Sequence, residues 1–142
     1  MIIRIPFQIV ELELQSFHII VNGRIDDVEV TLIVDTGASR TIIDKSYADK
    51  LEKLPVSSDK PMATGLSAEQ IPVELYSVAR LTLEGVLFEN IQSLTADLSA
   101  INEVYINLTG KKIGGLIGCD FLLGKVKSID FKRKYLSISI KQ

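Results

Sequence analysis

The residues best suited to chemistry stand at the end of a short apolar run, residues 32–34, which is followed by Asp35, Thr36 and Gly37. A carboxyl group at the end of a buried strand is costly unless it is hydrogen-bonded or has a functional role. Gly37 permits a tight turn, and the Thr36 hydroxyl can hold that turn in place. The pattern predicts a strand that delivers a carboxylate into a fixed turn, although a purely structural Asp turn would have the same sequence.

A second notable segment follows about 80 residues later, where the apolar pair Leu116 and Ile117 leads into Gly118. The polar pair Cys119 and Asp120 comes next, and then a short apolar stretch. Asp120 lacks a following Thr-Gly turn, so it is not a second copy of the first motif. Because it stands at the start of an apolar stretch, we expect it to cap a short helix.

Together, the Asp-Thr-Gly-Ala-Ser run and the apolar-apolar-Gly segment resemble the retroviral-type aspartic proteases (retropepsins) and their cellular relatives. The resemblance implies that Asp35 is the catalytic carboxylate, in an active-site loop that continues through Thr36, Gly37, Ala38 and Ser39. It also implies that the Thr36 hydroxyl crosses a dimer interface and that the Gly37 backbone faces the substrate.

The same resemblance implies roles for residues outside this loop. The segment that packs under the catalytic loop as structural support would be Leu116, Ile117 and Gly118. The flap that closes over the substrate would be the loop around Thr64, Gly65, Leu66 and Ser67. The substrate would be a polypeptide in an extended conformation, and the reaction would use no cofactor and no metal ion.

The number of Asp-Thr-Gly motifs has a consequence for assembly. Aspartic proteolysis uses two carboxylates around one water, one as a general base and the other, protonated, to polarise the scissile carbonyl. This chain contains one such motif. We therefore expect a homodimer in which a twofold axis places Asp35 beside its symmetry mate. A non-catalytic peptide-binding barrel of the same fold is the alternative, since a fold alone does not establish an activity.

Other candidate sites have weaker support in the sequence. Cys119 and His18 could form a nucleophile and its base, but no third orienting group is visible, and we expect Cys119 to be a buried apolar residue. One Cys and one His also exclude an intramolecular Cys/His zinc site. A basic cluster is formed by Lys125, Lys127 and residues 132–134. Because the formal net charge is −2, we interpret this cluster as a solvated turn and not as a nucleic-acid-binding surface. We expect no nucleic-acid partner.

We expect the secondary structure that positions these residues to consist mostly of strands, because apolar and polar residues alternate through most of the chain. A turn beginning at Asn22-Gly23 predicts a hairpin between residues 18–21 and 28–34. One helix is predicted over residues 45–54, and the helical spacing within residues 95–112 is ambiguous. Together with the resemblance, the pattern predicts an all-β fold: a closed acid-protease-type barrel with one or two short helices.

Length and composition favour one globular domain over residues 1–142, with 46% hydrophobic and 24% charged residues. No apolar run exceeds three residues. A membrane helix needs roughly 20 apolar residues and a signal peptide an apolar core of roughly 7–15, so neither is predicted. Because the chain has one Cys and no predicted signal peptide, we expect a cytoplasmic location and no membrane partner.

Overall fold

A computed structural model of the chain describes residues 1–55, 62–64, 70–72 and 74–139. Strands make up most of the secondary structure in these ranges. They are β1 (Ile2–Pro6), β2 (Gln8–Glu13), β3 (Ser16–Ile25), β4 (Val28–Val34), β5 (Ile42–Asp44), β6 (Glu52–Lys53), β7 (Met62–Thr64), β8 (Gln70–Pro72), β9 (Glu74–Leu83), β10 (Val86–Ala96), β11 (Ile113–Ile117), β12 (Val126–Asp130) and β13 (Tyr135–Ser139). The helices are α1 (Ser99–Thr109) and α2 (Cys119–Lys125), with a 3-10 helix at Lys45–Lys50.

The largest sheet closes on itself into a barrel. Its strands follow the order β2-β3-β4-β11-β5-β10-β9-β6, and β3 pairs a second time, with β9. The strands from β3 to β9 therefore form a closed ring of six, flanked by β2 and β6. Closure gives each of these strands a partner on both sides for part of its length. The prediction of an all-β closed barrel with few short helices is confirmed.

Two apolar clusters lie on opposite faces of the sheet at β4. Val30, Leu32 and Val34 belong to the main cluster inside the barrel. Ile33 alternates to the other face and joins a smaller cluster with Tyr105 of α1. Because both faces of β4 are buried, the strand that leads to Asp35 is held by apolar contacts from two sides.

A second, three-stranded sheet has the order β1-β13-β12. In the antiparallel pair of β1 and β13, Ile5 lies opposite Leu136, and both side chains are fully buried in the main cluster. Strands near the two ends of the chain therefore contribute to the same core as the barrel.

The hairpin before Asp35 turns at a different place from the predicted one. β3 runs through Asn22 and Gly23 without interruption, and the chain turns at Asp26, whose φ is 53°. A Cβ on Gly23 would lie 2.2 Å from the Thr82 carbonyl oxygen of β9. Gly23 therefore permits a close crossing of two strands where the barrel closes, and the prediction of a turn at this glycine is wrong.

The two helical predictions had different outcomes. Residues 45–54 do not form one α-helix, because the 3-10 helix ends at Lys50 and the chain continues as β6, which pairs with β9. Tyr47 and Leu51 pack against the main cluster, which accounts for their apolar spacing. The ambiguous residues 95–112 contain α1, which is followed by Gly110 with a left-handed φ of 72°.

Tyr105 is the largest of the fully buried side chains and lies between α1 and the sheet. Its ring contacts the His18 ring edge-to-face, with 5.6 Å between centroids. No described protein group hydrogen-bonds its hydroxyl. Burial raises the pKa of this hydroxyl to about 12, because the ionised form would lose its hydration.

This raised pKa predicts a loss of stability at alkaline pH. Above pH 10.0, the ordinary value, the unfolded chain releases the Tyr105 proton, whereas the folded chain keeps it up to about pH 12. The unfolded state then binds fewer protons than the folded state. The free energy of unfolding is therefore highest below about pH 10 and falls between about pH 10 and about pH 12. A difference of two pKa units corresponds to at most about 3 kcal/mol of the free energy of unfolding.

Urea unfolding of the wild type and Tyr105→Phe, at pH values from about 8 to about 11.5, measures this effect. The Tyr105→Phe protein should have the flatter dependence on pH, because it has no hydroxyl to ionise at this position. Equal slopes for the two proteins above pH 10 would contradict the assignment to Tyr105.

Candidate active site

The Asp35 turn begins where β4 ends. The Asp35 backbone N–H donates to the Ile117 carbonyl oxygen at 2.9 Å, and the Gly37 N–H donates to Asp35 Oδ1 at 2.9 Å. The Ala38 N–H donates to the Asp35 carbonyl oxygen at 3.1 Å and closes the turn. Asp35 is partly exposed, whereas Thr36 and Gly37 are exposed. The carboxylate is thus fixed by its own turn while it stays accessible from outside.

The second motif lies directly beside this turn. β11 runs parallel to β4, with Leu116 opposite Ile33 and Ile117 opposite Val34. Beyond β11, the Cys119 N–H donates to the Ala38 carbonyl oxygen at 2.8 Å. Two segments about 80 residues apart are therefore joined by backbone hydrogen bonds on both sides of Asp35.

Gly118 and Ser39 complete the contact between the two segments. A Cβ on Gly118 would lie 2.6 Å from the Arg40 carbonyl oxygen and 2.9 Å from that of Ala38, so this position needs glycine for space. The Asp120 N–H donates to the Ser39 carbonyl oxygen at 3.3 Å. The structure thus places Ile117 and Gly118 against the Asp35 loop, whereas Leu116 lies between Ile33 and Ile42 in the sheet.

Asp120 lies in the first turn of α2 and not at the cap position before the helix, contrary to the prediction. Gly118 is the residue that precedes the helix, and no side chain caps it. Asp120 Oδ1 instead accepts three hydrogen bonds, from Thr41 N–H at 2.9 Å, Thr41 Oγ1 at 2.8 Å and Phe121 N–H at 2.8 Å. Because hydrogen bonds to a carboxylate are stronger than those between neutral groups, these contacts fasten the end of the loop to α2.

The sequence pattern did not identify Thr41 as a residue of this site. Thr41 is 1% exposed, and its Oγ1 also accepts the Gly118 N–H at 3.2 Å. Its backbone carbonyl oxygen accepts the Leu94 N–H of β10 at 2.9 Å. The signal that could have identified it is a lone hydroxyl residue before the apolar pair Ile42-Ile43, six positions after Asp35.

Cys119 and His18 contact different groups. The Cys119 thiol donates to the Thr36 carbonyl oxygen at 3.1 Å, and Cys119 is only partly buried, so the expectation of a buried apolar residue is wrong. His18 packs on Tyr105, as described above. The thiol is therefore one more contact between the second motif and the Asp35 turn.

An open groove of about 710 Å³ lies beside Asp35 and Thr36. Its walls are mainly apolar side chains from β2, β3, β4, α1 and β11 and from the turn after β12. A carboxylate at the edge of such a groove suits a ligand that combines apolar side chains with a polar backbone.

The predicted flap is described only in part. Thr64 ends β7, which pairs antiparallel with β8, so that Thr64 lies opposite Gln70. Gly65, Leu66 and Ser67 lie outside the described residues. Over the described ranges, no helix is long and apolar enough to cross a membrane, and no group of three or more His, Cys, Asp or Glu side chains could hold a metal ion.

The model of the aspartyl protease family matches residues 21–121, a range that contains both motifs. The chain therefore belongs to the aspartyl protease family, and its resemblance to the retropepsin-like proteases is confirmed. Among solved structures, it is similar to a retropepsin-like aspartic protease from Rickettsia conorii, with a TM-score of 0.52 and 20% sequence identity. That similarity covers 97% of this chain and 90% of the other and shows a shared fold. No curated protein matches the chain.

The contacts of Asp120 predict how this site responds to mutation. Asp120→Ala should lower the free energy of unfolding by roughly 2–4 kcal/mol, because it leaves the buried Thr41 N–H and hydroxyl without their acceptor. Asp120→Asn keeps an oxygen acceptor and should cost clearly less. Urea unfolding measures both variants. Equal losses for Ala and Asn would contradict the importance of the acceptor oxygen.

Proposed function

We propose that this chain is an aspartic endopeptidase that is active as a homodimer, with Asp35 as its catalytic carboxylate. The observation that carries the proposal is the turn at Asp35, which holds one accessible carboxylate at the edge of an apolar groove. Membership of the aspartyl protease family supports peptidase activity in general. The homodimer supplies the second carboxylate that the single Asp-Thr-Gly of the chain lacks.

In the proposed reaction, the two Asp35 carboxyl groups lie roughly 3 Å apart and share one proton, because both cannot be ionised at that distance. The ionised carboxylate removes a proton from water, and the oxygen of that water attacks the scissile carbonyl carbon. The protonated carboxyl group donates its proton to the carbonyl oxygen. The tetrahedral intermediate then breaks its C–N bond as the amine nitrogen takes a proton from the carboxyl group that received it from water. One hydroxyl of the intermediate gives its proton to the other carboxylate, which leaves a carboxylic acid and restores the shared proton of the pair.

The neighbours of Asp35 have positioning roles in this proposal. The exposed Thr36 hydroxyl would reach the partner's loop, and the exposed Gly37 backbone would bind the substrate. Ala38 and Ser39 hold the loop through their carbonyl oxygens, which accept N–H groups of the second motif. The paired strands β7 and β8 would close over an extended polypeptide and exclude water during the reaction.

We also propose that residues 1–142 form one domain. The pairing of β1 with β13 supports this proposal, because it ties strands near the two ends into one core. The cytoplasmic location and the absence of cofactor, metal and nucleic-acid partners stay predictions.

Asp35→Asn tests the catalytic role of this residue. The amide is nearly isosteric and can still accept the Gly37 N–H, but it cannot act as a base, so cleavage of an unstructured protein should fall by more than about 100-fold. Unfolding by urea should change little. The matched control is Asp27→Asn, an exposed acid in the β3–β4 turn, which should keep full activity.

Cleavage that persists in purified Asp35→Asn protein would contradict the assignment. A wild type that binds an extended peptide at the Asp35 groove without cleaving it would favour a non-catalytic binding barrel.

A further inference from the structure

One cationic part of the chain has no role in the proposed chemistry. Residues 125–134, which we call the basic segment, contain five of the 16 Lys and Arg residues of the chain and one of its 18 Asp and Glu residues. The basic segment therefore carries a formal charge of +4, and the remainder of the chain carries −6. Its cationic side chains are all exposed: Lys125, Lys127, Lys132, Arg133 and Lys134. Positive charge is thus concentrated on one part of a protein whose total charge is close to zero.

The acidic side chain within the basic segment serves the backbone. Asp130 Oδ1 accepts the Lys132 N–H at 3.0 Å and the Arg133 N–H at 2.9 Å. The ion pairs within the described ranges all join residues outside the segment. The basic segment therefore keeps an excess of positive charge at the surface.

The turn after β12, which carries three of the cations, is held by the rest of the fold. The Lys134 N–H donates to the Asp130 carbonyl oxygen at 2.8 Å, and the Phe7 N–H donates to the Lys134 carbonyl oxygen at 3.0 Å. The Phe131 ring packs edge-to-face on the buried Phe7 ring, with 6.4 Å between centroids. Because the backbone of this turn is fixed, it would lose little conformational entropy when a partner binds.

The basic segment adjoins the groove beside Asp35. Phe131 lines this groove together with Asp35, and Lys132 is the next residue along the chain. No described residue that lines the groove is Lys or Arg. A polypeptide that continues from the groove past Phe131 would therefore leave apolar walls and meet a group of cations.

We propose that the basic segment binds an acidic stretch of the polypeptide substrate, a few residues away from the bond that is cleaved. The inference rests on the proposed function and names its substrate class. The substrate would have apolar residues at the scissile bond and several Asp or Glu residues to one side of it. Opposite charges on the two partners would speed their encounter and strengthen the bound complex.

The length of the basic segment and the charge elsewhere favour a short acidic partner over a large polyanion. β12 has five residues, which span roughly 16 Å in an extended chain. An acidic stretch of about five residues in an extended peptide has the same length. A nucleic-acid duplex or a membrane surface extends well beyond this length and would meet the remainder of the chain, which carries −6.

Matched peptides test the inference. A peptide that the wild type cleaves at an apolar site is extended, at one end or the other, by a run of Glu residues or by an equal run of Gln residues. For at least one end, kcat/KM should be about tenfold higher for the Glu peptide, through a lower KM, because the cations act in binding and not in the chemical step. At about 0.5 M NaCl, where the Debye length is roughly 4 Å, most of this difference should disappear.

A double variant assigns the effect to the basic segment. Lys132→Gln with Arg133→Gln should lower kcat/KM for the Glu peptide by about fivefold or more, and that for the Gln peptide by less than about twofold. The matched control is Lys50→Gln with Arg80→Gln, which also removes one exposed Lys and one exposed Arg, but outside the basic segment and the groove. Urea unfolding checks that both variants stay folded. An equal loss in the control would show an effect of net charge alone and would overturn the inference.

Binding to Asp35→Asn protein, followed by fluorescence anisotropy, separates the remaining outcomes. An enzyme that cleaves the Glu and Gln peptides with equal kcat/KM would overturn the inference and leave the proposed function intact. If an oligothymidylate or vesicles of anionic phospholipid bind more tightly than the Glu peptide, and the double variant loses that binding, the segment has another partner and the inference is wrong. If the wild type cleaves no peptide or protein, the proposed function fails, and this inference fails with it.

Discussion

The site depends on the carboxylate of Asp120, which binds both the backbone and the side chain of Thr41. These bonds join the end of the Asp35 loop to the start of α2, and the Thr41 hydroxyl in turn accepts the Gly118 N–H. A buried hydroxyl and a buried N–H without acceptors would be costly, so this arrangement strongly favours one position of the loop. The loop that carries the candidate catalytic carboxylate is therefore held at its far end as well as beside Asp35.

This fastening is possible because the barrel places β11 between β4 and β5. The parallel pairing with β4 brings the Ile117 carbonyl oxygen to the Asp35 N–H, and the next residues meet Ala38 and Ser39. The carboxylate of Asp35 itself makes a bond within its own turn, to the Gly37 N–H. A rigid frame with an accessible acid is the arrangement that general acid–base catalysis requires, because a misplaced group loses much of its effect.

Alternation of apolar and polar residues predicted a fold of many short strands, because it reports local structure directly. The closed barrel and the packing of the second motif under the Asp35 loop were what the resemblance to the retropepsins implied. Prediction from the sequence failed where a residue serves a distant contact. Gly23 suggested a turn, but its missing Cβ accommodates the Thr82 carbonyl oxygen of a strand about 60 residues away. Asp120 suggested a helix cap, but its oxygen binds Thr41, 79 positions earlier. Such long-range partners are decided by the closure of the barrel, which a local pattern does not contain.

The central claim is that two Asp35 carboxylates act together, and subunit mixing tests it most directly. Wild-type protein is mixed with Asp35→Asn protein well above the dimer dissociation constant, and subunit exchange is confirmed. Cleavage is compared with that of the same amount of wild type diluted equally with buffer. At equal amounts, the activity per wild-type chain should fall to half. At a tenfold excess of Asp35→Asn, it should fall to about one eleventh, since random pairing puts the other wild-type chains into mixed dimers. Activity that stays proportional to the number of wild-type chains after exchange would show that each chain works alone and would contradict the account.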